Sequence, residues 1–234
     1  GRVVPDMARM VQRKEEIIQT QIKGIAGLLK QHGVTHIQGR ACFEQAGQLI
    51  VHKSDGTREG LQSDRVILAV GSSPLSVPDF PFDGRRVLSS DHVLSVPEIP
   101  ESMIVVGGGV VGCEFATMFS RLGSKVTVVE ALDRLLPLPS VDGDCSKILQ
   151  REMKKRKISC LLNRTVISCQ STEEGVQAIV GPAGGSSGSG PQQQQTLQAE
   201  VLLVSIGRAP NTRDMGLENT DVELDGKGWV LADE

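Results

Sequence analysis

A chain of 234 residues with 39% apolar and 23% charged side chains can build one large or two small globular domains with a sizeable core. Its formal charge of -3 supplies no long-range attraction to nucleic acid or an anionic membrane, and an aromatic content of 3% without any Tyr argues against a base-stacking surface. No run is apolar for long enough to span a bilayer or act as a signal peptide, so a soluble, cytoplasmic protein is expected. Five scattered cysteines (Cys42, Cys113, Cys145, Cys160, Cys169) contain no CxxC, and His32, His36, His52 and His92 are dispersed. Neither a disulfide framework nor a standard zinc site is expected from such spacing. The chain opens on Gly1 and stops at Leu231-Ala-Asp-Glu234 in mid-element, which points to a fragment.

From Pro5 to Gly33 the apolar residues Met7, Val11, Ile18, Ile22, Ile25 and Leu29 recur at helical spacing, opposite Arg13, Lys14, Glu15 and Glu16. Pro5 and Asp6 start this long helix, and Lys30, His32 and Gly33 stop it. Packing of its apolar stripe against its own domain is favoured over a coiled-coil partner. Strands are expected at His36–Arg40, Leu49–Lys53 and Val66–Val70, the last apolar on both alternating sets and therefore buried in the middle of a layered sheet. Prolines 74, 78, 81, 97 and 100 then break regular structure, apart from a short helix near Ser90-Asp91, and a domain boundary falls close to Pro100.

Met103–Val106 reads as a second buried strand, followed by a glycine cluster and a helix with Val111, Phe115, Met118, Phe119 and Leu122 on one face, capped by Gly123. Val126–Val129 returns as a strand, with a right-handed crossover expected. A helix over 144–157, a strand at Ser159–Leu162, a hairpin of Thr165–Cys169 with Val176–Val180, and a two-sided apolar strand from Val201 to Ile206 follow. Residues 181–195, rich in Gly, Ser and Gln, read as a flexible loop; a natural insertion and an engineered linker would look alike there.

The glycine cluster carries the chemistry. Gly107, Gly109 and Gly112 follow a buried strand at once and open a helix. In that setting the first glycine makes the tight turn, the second lets backbone approach a pyrophosphate, and the third lets helix and strand pack closely. The helix N-terminus offers free N–H groups and partial positive charge to phosphates. Glu130 follows Gly112 by 18 residues at the end of the next strand, where its carboxylate can accept both ribose hydroxyls of NAD and would repel the extra phosphate of NADP. Glu114 is either a first-turn carboxylate favoured by the helix dipole or a group lining the ligand site, and the residues alone do not choose. Cys113 reads as a small buried residue rather than a nucleophile. The basic run Arg151, Lys154, Lys155, Arg156 and Lys157 reads as a solvated helix end.

Together with Ile67-Leu-Ala-Val-Gly-Ser-Ser-Pro74, Phe82-Asp-Gly-Arg-Arg-Val-Leu-Ser-Ser90, Asp133-Arg-Leu-Leu-Pro137 and Val204-Ser-Ile-Gly-Arg-Ala-Pro-Asn-Thr212, these motifs resemble the flavoprotein pyridine nucleotide-disulfide oxidoreductase family, most of all its dihydrolipoamide dehydrogenase branch. The resemblance implies an α/β fold in which a Rossmann-like three-layer NAD-binding domain is inserted in part of a second, FAD-binding domain. Residues 1–101 would be the later part of the FAD-binding domain, 102–219 the NAD-binding domain and 220–234 the return to the first. It implies that Gly107, Gly108, Gly109, Val110, Val111, Gly112, Cys113, Glu114 and Glu130 bind NAD, with Val166 near the adenine, Gly207 near the nicotinamide half and Glu114 approaching the flavin. Val70, Gly71 and Ser72 would touch FAD, although the family usually has Thr where Val70 stands, and Ala41 would lie near a backbone FAD contact.

By the same resemblance a first glycine motif and a redox cysteine pair would precede Gly1, and a dimerisation domain with a catalytic His-Glu pair would follow Glu234. The parent would be a homodimer passing hydride between NAD and flavin, and this piece would hold no catalytic residue and be inactive alone. Related mercuric reductases and soluble transhydrogenases share the NAD fold, and a non-catalytic NAD-binding module is the reading from a different class.

Overall fold

A computed structural model describes residues 4–184 and 193–232. The helices are α1 (Met7–Gln31), α2 (Ser90–Val93), α3 (Val110–Leu122) and α4 (Gly143–Lys155). The strands begin with β1 (Arg40–Gln45), β2 (Gln48–His52), β3 (Arg58–Gln62), β4 (Ser72–Pro74), β5 (Val87–Leu88), β6 (Ser102–Val106) and β7 (Lys125–Val129). They continue with β8 (Ser159–Leu161), β9 (Arg164–Ser171), β10 (Val176–Pro182), β11 (Gln195–Ala199), β12 (Val201–Val204) and β13 (Arg208–Pro210). Two compact units result, one of residues up to Lys14 with Pro74–Gly207, the other of Glu15–Ser73 with Arg208 onward. Compactness thus divides the chain at Ser73 and Gly207, whereas proline spacing and resemblance place the divisions near 101 and 219. The shift at the first boundary arises because β5 is hydrogen-bonded to β12 and so joins the sheet of the unit that follows it.

That unit is built on a fully parallel sheet in the order β5-β12-β6-β7-β8. Residues of a strand alternate between faces, so a strand covered on both sides must be apolar throughout. Met103 and Val105 of β6 join Val201 and Leu203 of β12 in a core shared with Cys113, Ala116 and Phe119 of α3 and Met153 of α4. Ile104, Val106, Leu202 and Val204 point the other way, against Val166, Val176, Ala178 and Val180 of the antiparallel sheet β11-β10-β9. The expected three-layer α/β architecture follows from this alternation, each buried Val or Leu contributing about 1.5–3 kcal/mol.

Several local expectations change. In α3 the buried residues are Gly112, Cys113, Ala116 and Phe119, while Val111 is 37% exposed, because small residues let the helix lie close to the sheet. Gly181 and Pro182 continue β10 and Gln195 begins β11, so pairing reaches into both ends of the expected 181–195 loop; residues 185–192 of that loop lie outside the described residues. The basic end of α4 is solvent-facing as read, with Lys155 and Arg156 both near the Glu152 carboxylate.

In the second unit β1-β2-β3 form an antiparallel meander, and β4 pairs with β13. The strand expected at 36–40 begins only at Arg40. Asp6 Oδ1 accepts from the Arg9 N–H at 3.0 Å, which caps the start of α1, and Gly33 at φ +67° ends it. Its apolar stripe packs on its own domain only at the start: Met7 is buried and Val11 packs against the same core, whereas Leu29 is half-buried and Ile18, Ile22 and Ile25 are exposed. The Val66–Val70 run is likewise no strand: Ile67 is 91% exposed. A central strand exists only through ladders to neighbours, and no described strand pairs with this one.

Candidate functional site

The parallel sheet changes direction at β6. From there the chain moves outward to β7 and β8, then returns to β12 on the opposite side. Ligands of such sheets sit beyond the carboxyl ends of the strands at this switch point, and the glycine turn leaves β6 there. Gly107, at φ +102°, donates its N–H to the Val129 carbonyl at 2.8 Å. A Cβ on it would stand 2.5 Å from the Ser205 carbonyl oxygen, so both backbone angle and close approach require glycine. Ser205, just after β12, donates from its hydroxyl to the carbonyls of Val106 (2.9 Å) and Gly107 (3.2 Å) and pins the turn. A Cβ on Gly112 would collide with the Gly107 carbonyl oxygen, and one on Gly108 would lie 2.8 Å from Leu135 Cδ2.

Gly109 differs from its neighbours. It is the N-cap of α3 in an ordinary extended conformation (φ -73°, ψ -172°), and nothing lies within 4 Å of where its Cβ would be. No side chain caps the helix, so the N–H groups of its first turn have no side-chain acceptor. The chain itself has no reason to keep glycine here; an approaching ligand would.

Glu130 directly follows β7 and is only 6% exposed. Its Oε2 accepts from the Gly108 N–H at 2.5 Å and its Oε1 from the Leu132 N–H at 2.8 Å. The carboxylate is held rigidly beside the glycine turn, and each oxygen keeps a further lone pair for a ribose hydroxyl.

Glu114 is exposed and is the fifth residue of α3, beyond the first turn, which removes the dipole explanation for it. Cys113 is buried: its N–H donates to the Gly109 carbonyl and its thiol to the Gly108 carbonyl at 3.2 Å. Burial, with smaller contributions from Cys160 and Glu130, pushes that thiol up to about 12, so it is a neutral packing group and no nucleophile. Val110 is exposed near the turn, Val166 is buried in the core between the two sheets, and Gly207 is exposed at φ +139°.

In the other unit Val70 and Gly71, the latter at φ +68°, lead into Ser72 at the start of β4. Asn211 donates from Nδ2 to the Val70 carbonyl (3.1 Å) and from its N–H to that of Gly71 (3.1 Å), while Arg208 Nε donates to Ser72 Oγ at 2.7 Å. Ala41 lies on β1 opposite Val51. Arg208, Asn211, Ser205 and Leu136 escape a reading by residue type, since their hydrogen bonds go to groups far away in sequence, most of them backbone carbonyls; the Gly207–Asn211 break after an apolar strand was the available signal.

A cavity of about 730 Å3 lies elsewhere, at the amino ends of β6 and β12. Four glutamates (Glu98, Glu101, Glu174, Glu200) line it against one arginine, Arg86. Such a lining repels a pyrophosphate, so volume and chemistry disagree, and the chemistry favours the glycine turn.

A family profile described as "Pyridine nucleotide-disulphide oxidoreductase" matches residues 3–234. Curated relatives include dihydrolipoyl dehydrogenase 1, mitochondrial, of Arabidopsis thaliana, 35% identical over 98% of this chain and 44% of its own length. The dihydrolipoyl dehydrogenase of Trypanosoma brucei brucei is 36% identical over 97% of this chain and 46% of its own. Among solved structures, LpdA from Mycobacterium tuberculosis superposes with a TM-score of 0.83 at 27% identity over 97% of this chain and 48% of that one. The HOCl-induced flavoprotein disulfide reductase RclA from Escherichia coli gives 0.81 at 26%, over 98% and 49%. The chain spans roughly half the length of the relatives it matches.

Proposed function

The chain belongs to the pyridine nucleotide-disulphide oxidoreductase family, and on that premise we propose that its glycine turn and Glu130 bind NAD(H) within a dihydrolipoamide dehydrogenase type of flavoenzyme. Gly109 carries this reading: a glycine at an uncapped helix start, with no protein atom near its missing side chain, is explained by close approach of a diphosphate. The first-turn N–H groups of α3 would hold the diphosphate, and the Glu130 carboxylate would accept the adenosine ribose hydroxyls and disfavour a 2′-phosphate. Bound NAD(H) would supply the hydride chemistry.

The backbone of Val70–Ser72 fits an FAD contact, with Val70 lacking a hydroxyl for it. The bare Val66–Val70 run and α1 stripe support the view that these residues belong to a flavin-binding layer completed by further chain. Neither a redox cysteine pair nor an acid-base histidine is assigned within these 234 residues, so this piece would bind nucleotide without turning over. A second reading, another flavoprotein disulfide reductase, is favoured by the similar fit of RclA.

Calorimetry with NADH and NADPH on the 234-residue chain tests the nucleotide site, and equal affinity would refute the role of Glu130. Lipoamide-dependent NADH oxidation by the full-length protein tests the acceptor, and its absence would leave the second reading.

A further inference from the structure

The segment between Glu130 and α4 is a closed bracket around the glycine turn. At one end the Leu132 N–H donates to Glu130 Oε1 (2.8 Å), and the Leu132 carbonyl accepts from the Asn163 N–H (2.9 Å). At the other, the Leu136 N–H donates to the Gly108 carbonyl at 2.7 Å. Since Gly108 donates to Glu130 Oε2, the ring Glu130–Leu132–Leu136–Gly108–Glu130 is closed by hydrogen bonds.

The bracket is costly to form. Leu136 sits at φ +49°, a left-handed conformation that disfavours a residue with a side chain. Leu135 beside it is fully buried. Backbone hydrogen bonds close this turn, from the Leu138 N–H to the Leu136 carbonyl (2.7 Å) and from the Val141 N–H to the Leu138 carbonyl (3.0 Å), and Arg134 braces it: Nη1 donates to the Val141 carbonyl (3.0 Å) and Ser146 Oγ (3.2 Å), and Nη2 to the Leu138 carbonyl (3.0 Å). Ser146 is itself buried on α4, so the guanidinium ties the loop to a helix.

We propose that Arg134 is a positioning residue for nucleotide binding: by fixing residues 131–138 it holds the Gly108 peptide and the Glu130 carboxylate in one prepared arrangement. It touches no ligand itself. A planar donor fork suits this task, because one side chain gathers two carbonyls of the loop and a hydroxyl of α4. Holding the site ready spares the ligand the cost of ordering it, and both contacts it prepares, diphosphate and ribose, belong to the same half of NADH. The inference rests on the NAD reading above.

The test uses the 234-residue chain, its Arg134→Met and Arg134→Lys variants, and calorimetry with NADH, ADP-ribose and NADPH below the melting point of each. Arg134→Met should weaken NADH and ADP-ribose by a common factor of about ten and reduce the preference for NADH over NADPH, because a loosened Glu130 discriminates less. Arg134→Lys should restore most of the affinity, as an ammonium can still reach two of the carbonyls. A merely structural arginine would lower the melting temperature and leave both the affinities of the folded protein and the NADH preference unchanged, and that result would overturn the proposal. Should Arg134→Met fail to fold, Arg134→Lys decides: a smaller loss, again shared by NADH and ADP-ribose and accompanied by weaker preference, supports it, and no change refutes it. If the unmodified chain binds neither NADH nor ADP-ribose, the nucleotide reading falls first and the positioning role with it.

Discussion

Gly109→Val separates a ligand's demand for glycine from the protein's own. At φ -73° and ψ -172° a valine fits the backbone, and no atom lies within 4 Å of its Cβ. The folding cost is therefore confined to a poorer N-cap, about 1 kcal/mol, which lowers the melting temperature of a chain this size by about 2–4 °C. Its branched side chain would nevertheless stand over the first-turn N–H groups and displace the diphosphate. Each charge-assisted hydrogen bond lost costs about 1.5–3 kcal/mol, so NADH affinity should fall by on the order of 10- to 100-fold. Gly112→Ala is the control in the opposite sense: its Cβ collides with the Gly107 carbonyl, and overpacking should destabilise the fold by about 1–3 kcal/mol. Thermal melts and NADH calorimetry on both variants give the comparison. A Gly109→Val protein that melts normally and binds NADH as tightly as the unmodified chain would refute the argument that a ligand reserves this position.

Glu130→Ala leaves the buried Gly108 N–H and the more exposed Leu132 N–H without their acceptor, so it should both destabilise the chain by about 1–3 kcal/mol and weaken the preference for NADH over NADPH; denaturant titration and calorimetry read the two effects. Cys113 has a folded pKa raised by burial above the unfolded value of 9.0, to about 12. Its contribution to stability is therefore complete below pH 9 and lost as pH rises towards 12, with a slope of at most about 1.4 kcal/mol per pH unit. Chemical denaturation across that range should show a steeper decline for the unmodified chain than for Cys113→Ala, and iodoacetamide should label exposed Cys145 while sparing Cys113 until unfolding. Ile67→Glu, at a side chain 91% exposed, should change the stability of these 234 residues by less than about 0.5 kcal/mol. In the full-length protein the same change should reduce FAD content, measured by absorbance, if that run is buried there.

By itself the sequence determined the elements whose cause is local or periodic. The two-sided apolar runs at Met103–Val106 and Val201–Ile206 specify strands covered on both faces, although the second ends at Val204, and Gly107 to Gly112 between a strand and a helix specifies a tight turn with an open helix start. Glu130 was legible too, because strand and helix lengths fix where the next carboxyl end falls. Even the error at Val66–Val70 has a lesson: its pattern describes a central strand, yet a strand is made by neighbours that its own residues cannot supply. Tertiary structure alone decided which glycines serve the protein and which face open space, since that depends on Ser205, Leu135 and Glu130 arriving from distant parts of the chain. It also showed that Arg134, a charged residue in a loop, gathers the carbonyls of Leu138 and Val141 and the Ser146 hydroxyl. Backbone hydrogen bonds leave no trace in residue identity, which is why the bracket holding the site could be found only once the chain was folded.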